Sequence, residues 1–180
     1  IKRITDIISI QQSLLHQQQD ERFAIKFALL DAQKTLKQII TGHKITVIID
    51  LDSNAEYITA PRNQFMQIII NLLKNAAEAI MVKQKQSKGA DSPPNTITIN
   101  SRLTDNGTII EVIDTGIGIE QSATEHLFKF GYTTKQNGNG FGLHFAAVFM
   151  QSIDGTITVS SLPENRGTIF SMTFPAKKGK

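Results

Sequence analysis

The chain has no cysteine and no tryptophan, and only five prolines and two tyrosines in 180 residues. Without cysteine there is no disulfide and no thiolate metal site, which fits a reducing compartment. Charge of neither sign dominates, since 19 Lys and Arg against 16 Asp and Glu leave a net +3. The one dense basic cluster is the tail Lys177, Lys178 and Lys180, a solvated end rather than a nucleic-acid surface. No uninterrupted apolar run approaches the roughly 18 residues that crossing a bilayer takes, and no signal peptide is visible. What is present is 40% hydrophobic content, enough at this length for one domain with a core of its own. The chain opens at Ile1 in mid-helical pattern without Met, so the expectation is a piece of a longer protein. Any membrane segment would lie in the missing part.

The stretch Asn71 to Ile80, NLLKNAAEAI, organises the rest. Residues at i and i+4 share one face of a helix, so Asn71 and Asn75 stack along a single edge, which Gln67 and Glu78 extend. Asn is a mediocre helix former, and burying an amide without partners costs roughly 1–3 kcal/mol. A polar stripe through an apolar helix therefore needs something to bind. The plain alternative is a hydrogen-bonded network between helix and sheet.

Around it, Ile1, Ile4, Ile8 and Leu15 recur at heptad-like spacing, the tail of an amphipathic helix that seeks a partner helix. A second helix is predicted from Phe23 to Ile40, ended by Thr41-Gly42-His43 with Gly42 as cap. Ile45 to Asp50 reads as a strand, and Pro61 opens a long helix to about Lys85. KQKQSKGADSPPN is a polar connector. Thr96 to Leu103 and Thr108 to Asp114 alternate around Asp105-Asn106-Gly107, a hairpin signal, and Thr156 to Leu162 pairs with Thr168 to Phe174.

The chemistry sits at the ends of these elements. Asp114 closes a strand and leads into Thr115-Gly116-Ile117-Gly118-Ile119, a carboxylate beside backbone that a ligand can approach closely. Such an acceptor suits the exocyclic amine of adenine and rejects the guanine oxygen; an ordinary glycine turn is the plain reading. Glu120 to Gly138 is polar and irregular after a short helix around Ala123 to Phe128. Phe128 and Phe130 would pin it to the body as a lid, with Thr134 and Lys135 at its end. Gly138-Asn139-Gly140-Phe141-Gly142-Leu143 then runs into a helix from His144 to Met150, whose N-terminus is an anion site. It has neither the Rossmann order nor the Lys-Ser/Thr ending of a P-loop.

In this order NLLKNA, DTGIGI, FKFGYTTK and GNGFGLH resemble the ATP-binding catalytic domain of bacterial sensor histidine kinases, in the superfamily shared with gyrase B, HSP90 and MutL. The resemblance covers Asp50 to Pro175 and looks most like nitrogen-regulatory sensor kinases. It implies an α+β fold, a two-layer sandwich of the Bergerat type: a mixed sheet with helices on one face, plus an N-terminal helix. Residues 1–20 would be the end of a dimerisation and phosphoacceptor helix, and 21–180 the catalytic domain. The resemblance gives Asn75 the Mg²⁺ that bridges the ATP triphosphate. Asp114 would select adenine, with Thr168 near it; Lys135 and Thr134 would face the triphosphate. Gly138, Gly140 and Gly142 would close on the phosphates, and Ala79, Gly116, Gly118, Ile119, Phe130, Phe141 and Leu143 would complete the nucleotide site. Lys74 would face solvent.

Asn71 stands where ATP-hydrolysing relatives carry a Glu, and an amide is no general base, so phosphoryl transfer is implied, with Asn71, Asn75 and Lys135 as catalytic residues. Glu78 would hold the local hydrogen-bond network. No HExxNP-like segment exists here, and His16, His43, His126 and His144 sit in other contexts. The implied phosphoacceptor lies upstream in a homodimeric full-length protein, the implied partner is a response regulator receiver domain, and the domain would be cytoplasmic. A nucleotide-gated switch without transfer and a serine kinase of the anti-sigma type are the alternatives.

Overall fold

The computed structural model describes residues 19–86, 94–135, 138–163 and 166–176. The helix expected at the N-terminus and the polar connector fall largely outside these residues. In chain order the elements are β1 (Glu21–Ala24), α1 (Ile25–Thr35), α2 (Lys37–Gly42), β2 (Thr46–Leu51), β3 (Tyr57–Ala60), α3 (Arg62–Gln86), β4 (Thr96–Thr104), β5 (Gly107–Asp114), α4 (Gln121–Thr124), α5 (Gly142–Ser152), β6 (Thr156–Ser161) and β7 (Thr168–Pro175).

Five strands form a mixed sheet in the order β2-β4-β5-β7-β6, with β2 parallel to β4 and the other pairs antiparallel. Period-two alternation gives that sheet one covered face: Ile97 and Ile99 on β4, Ile110 and Val112 on β5, Phe170, Met172 and Phe174 on β7 are all buried. The helices lie on this side, α3 in contact with α1 and α5 and with the central strands. Phe65 on α3 stacks between Phe23 and Phe174, ring centroids 5.2 and 5.7 Å away. The α+β sandwich with helices on one face is therefore the observed architecture.

The long helix α3 has the length and apolar content of a membrane span. Nine of its residues, Phe65, Ile68 and Leu72 among them, are buried, while Asn71, Lys74, Asn75 and Glu78 interrupt the apolar sequence. It is the core helix of this domain.

Three local expectations are corrected. Phe23 to Ile40 is not one helix: Glu21–Ala24 pairs antiparallel with β3, and the helical run breaks at Leu36, with φ −102° and ψ 11°. The strand wins because Phe23 reaches the Phe65 ring and the Arg22 guanidinium lies 4.3 Å over the Tyr57 ring. Gly42 stays inside α2, and the left-handed residue that ends the turn is Lys44, φ 52°. The short helix begins earlier than expected, at Gln121, and ends at Thr124. The hairpin forms as expected, with Gly107 at φ 127°, where a Cβ would meet the Phe174 carbonyl oxygen.

Candidate functional site

Four positions spaced by four along α3 define the site. Asn71, Asn75, Ala79 and Lys83 meet three different segments of the chain, over about 18 Å of helix at 1.5 Å per residue. A Cβ on Gly142 would meet the Asn71 amide at 2.2 Å, a Cβ on Gly116 would meet Ala79 at 2.6 Å, and Lys83 lies close enough to Asp114 to feel its charge. Asn75 accepts a hydrogen bond from Lys135 Nζ at 2.7 Å. The polar edge of the long helix, the strand-end carboxylate and both glycine-rich segments therefore share one side of the molecule.

Asp114 sits at the end of β5 in the same parity as Ile110 and Val112, so its side chain takes the covered face. It is 2% exposed. Its Oδ1 accepts from Gly116 N–H at 2.7 Å, and the Thr168 hydroxyl and N–H also donate to it. Thr168 is its cross-strand partner in the β5–β7 register. Burial nevertheless dominates and pushes the Asp114 carboxyl up to about 6. Lys83, which the sequence reading did not single out, is held below the usual lysine range by its own partial burial, against the pull of Asp114. Gly116 fits against Ala79 with no room for a side chain, and Gly167, φ 143°, lies against the Asp114 carbonyl. Gly118 is left-handed at φ 73°, and Ile119 is tied to Ser161, which accepts from its N–H at 3.0 Å and donates to its carbonyl at 2.6 Å.

At the other end of α3, Asn71 Nδ2 is buried with no hydrogen-bond partner. An orphaned amide donor is costly, and here it lies beside Gly142, the first residue of α5. The first N–H groups of that helix carry the positive end of its dipole. Donors of these two kinds suit an anion. Gly140, φ 70°, lies so close to Gly131 that a Cβ would meet its backbone at 2.4 Å, and Gly138 is packed on the Thr133 hydroxyl.

The segment between the sites is pinned as expected by aromatics. Phe128 packs on the core, and the Phe130 ring lies 4.9 Å from that of buried Phe141 and edge-on to His144. The His144 ring hydrogen-bonds the Phe128 carbonyl at 3.0 Å, which gives this histidine a local partner. Leu143 is half-buried against the core and Thr134 is exposed. Lys135 reaches back to α3, where its ammonium bonds both Asn75 and Glu78. Lys74 is exposed, 4.0 Å from the other Glu78 oxygen.

An amide oxygen and a carboxylate oxygen thus converge on one cation, the Lys135 ammonium. Hard oxygen donors of this type also suit Mg²⁺. Among the described residues no three His, Asp or Glu side chains gather into a metal cage.

The family model establishes the family, and the superposed structure shows the same fold. Residues 60–178 match the model of the histidine kinase-, DNA gyrase B- and HSP90-like ATPases. The sensor protein FixL of Bradyrhizobium diazoefficiens is 30% identical over 70% of this chain and 23% of its own length. The sensory histidine kinase/phosphatase NtrB of Rhizobium leguminosarum is 30% identical over 84% of this chain and 40% of its own. The chain thus spans less than half of these curated relatives. The catalytic domain of the histidine kinase ThkA superposes with a TM-score of 0.72 at 23% identity, over 87% of this chain and 95% of that one.

Proposed function

The chain belongs to the histidine kinase-, DNA gyrase B- and HSP90-like ATPases, and on that premise we propose that it is the ATP-binding catalytic domain of a two-component sensor histidine kinase, a cytoplasmic module that transfers the γ-phosphoryl of ATP to a histidine on an upstream dimerisation domain. Similarity to sensor kinases such as FixL and NtrB supports the reading, but one observation carries it: the buried Asp114 carboxylate and the Asn71–Asn75 edge lie on the same side of one helix.

In this reading Asp114 accepts from the adenine amine at the foot of the site. Gly116 packs on Ala79 with no side chain to crowd the Asp114 carboxylate, and Ile119 is held in place through Ser161. The triphosphate runs along α3 toward Asn71 Nδ2 and the start of α5, the two donors that otherwise lack a proton acceptor. Mg²⁺, when bound with the nucleotide, would neutralise phosphate charge, held by Asn75 and taking its remaining ligands from phosphate and water. Asn71 cannot abstract a proton from water, so the site positions and neutralises rather than activating a water nucleophile. Lys135 then faces the terminal phosphate, and its donors serve the leaving charge. The receiver domain of a response regulator is the final acceptor, and the full-length protein works as a homodimer.

The test is incubation with γ-labelled ATP of a longer chain that carries the upstream dimerisation helices. Label that is acid-labile and base-stable is the expected result. Tight ATP binding without label would point to a nucleotide-gated switch instead, and label on serine to a serine kinase.

A further inference from the structure

Lys135 makes the most informative contact that the kinase reading leaves unexplained. Its ammonium lies within hydrogen-bond reach of Asn75 Oδ1 at 2.7 Å and bonds one oxygen of Glu78. Asn75 and Glu78 are three residues apart on α3 and share a face, so one cation serves both. Lys135 is delivered to that face by its own local structure: its N–H donates to the Thr133 hydroxyl at 3.1 Å, and the Phe130 ring upstream packs against Phe141 and edge-on against His144.

We propose that Glu78 is a positioning residue that parks Lys135 on Asn75, an internal cation that a divalent metal–nucleotide complex must displace before the site is loaded. The proposal rests on the nucleotide reading given above for its second half only. Two cations at the Asn75 oxygen repel each other, so the metal and the ammonium compete for it. When the metal takes that oxygen, the ammonium leaves, and the phosphates are the nearest new partner for it. Glu78 is then left to Lys74, whose ammonium lies 4.0 Å from the second carboxylate oxygen. Glu78 therefore favours the empty site and sets how much metal is needed to load it. Both partners are partly exposed, so the effect is modest, of the size of a solvent-screened ion pair.

Trypsin cleavage after Lys135, followed by mass spectrometry on the nucleotide-free chain, reads the contact directly. Glu78→Gln should speed that cleavage about two- to fivefold. Lys135→Arg, which keeps the charge, should retain the protection, and Glu111→Gln, which breaks the Arg102 pair on the other face of the sheet, should leave it unchanged. Equal cleavage of wild type and Glu78→Gln overturns the parking contact. A general rise at every site in Glu78→Gln, with a lower melting temperature, also overturns it, by assigning Glu78 a structural role. In the second arm, calorimetry with ADP and Mg²⁺ should give Glu78→Gln about two- to fivefold tighter binding, a difference that disappears without Mg²⁺. Equal or weaker binding overturns the displacement and assigns Glu78 to the metal's surroundings. No ADP binding by either protein overturns the nucleotide reading instead, and the cleavage arm still decides the contact.

Discussion

Asp114→Asn separates the energetic cost of the carboxylate from its use. The side chain is 2% exposed and its carboxyl is pushed from the ordinary 3.8 up to about 6, chiefly by burial, even though Gly116, Thr168 and the charge of Lys83 all favour the ionised form. A raised carboxyl means that folding takes up a proton between those two values, so the stability this group contributes is complete below about pH 4 and lost as pH rises through about 6. At 1.36 kcal/mol per unit, the shift corresponds to about 3 kcal/mol of destabilisation by the charged form at pH 7.5. The amide has no such pH dependence. The donors around it, from Gly116 and Thr168, exceed what one amide oxygen can accept, an offset that is the same at every pH. Denaturant melts of both proteins from pH 4 to 8 should therefore show the variant gaining on wild type by about 3 kcal/mol across the window, or about 6–12 °C in melting temperature for a chain of this size. A stability difference that stays constant over that range would refute the buried-charge argument. The same variant should bind ATP more weakly, by the roughly 1.5–3 kcal/mol of one charge-assisted hydrogen bond, and lose its preference over GTP.

Wild-type ATP affinity should fall as pH drops through about 6, where Asp114 gains its proton and becomes a poorer acceptor, and Asp114→Asn should flatten that profile in calorimetry. Asn75→Ala should remove the Mg²⁺ dependence of nucleotide binding; an unchanged dependence would show that the metal sits elsewhere. Gly142→Ala drives a methyl group into the Asn71 amide and should cost about 1–3 kcal/mol in denaturation, with nucleotide affinity falling alongside. Bound ATP with Mg²⁺ should slow proteolysis between Glu120 and Gly138, and equal cutting with and without nucleotide would argue against a lid.

Much of this molecule is legible from spacing alone. Asn71 and Asn75 announce a polar edge because amides are rare in an apolar helix, and Asp114 announces itself because it closes an alternating strand with glycines behind it. The hairpin is readable because Asn106-Gly107 permits few other geometries. What sequence did not disclose depends on partners distant in the chain. The Glu21–Ala24 strand has the composition of the helix that follows, and only its pairing with Tyr57–Ala60 decides it. Lys83 looks like any lysine on the last turns of a helix until Asp114 is folded against it. Glu78 was legible as a neighbour of the polar edge, but its bond to Lys135, 57 residues away, was not.

One consequence of the β4–β5 register reaches further than the turn that sets it. Side chains on a strand change sides at each residue, and Asp114 faces the helices because it lies an even number of steps from Thr108, Ile110 and Val112. Removing one residue from the Asp105-Asn106 turn and letting β5 slip by one would send the carboxylate to the open side of the sheet and bring Ile113 inward. A deletion in the turn at Asp105-Asn106, well before Asp114 in sequence, would then be expected to abolish base selectivity while leaving every residue of the proposed pocket in the gene.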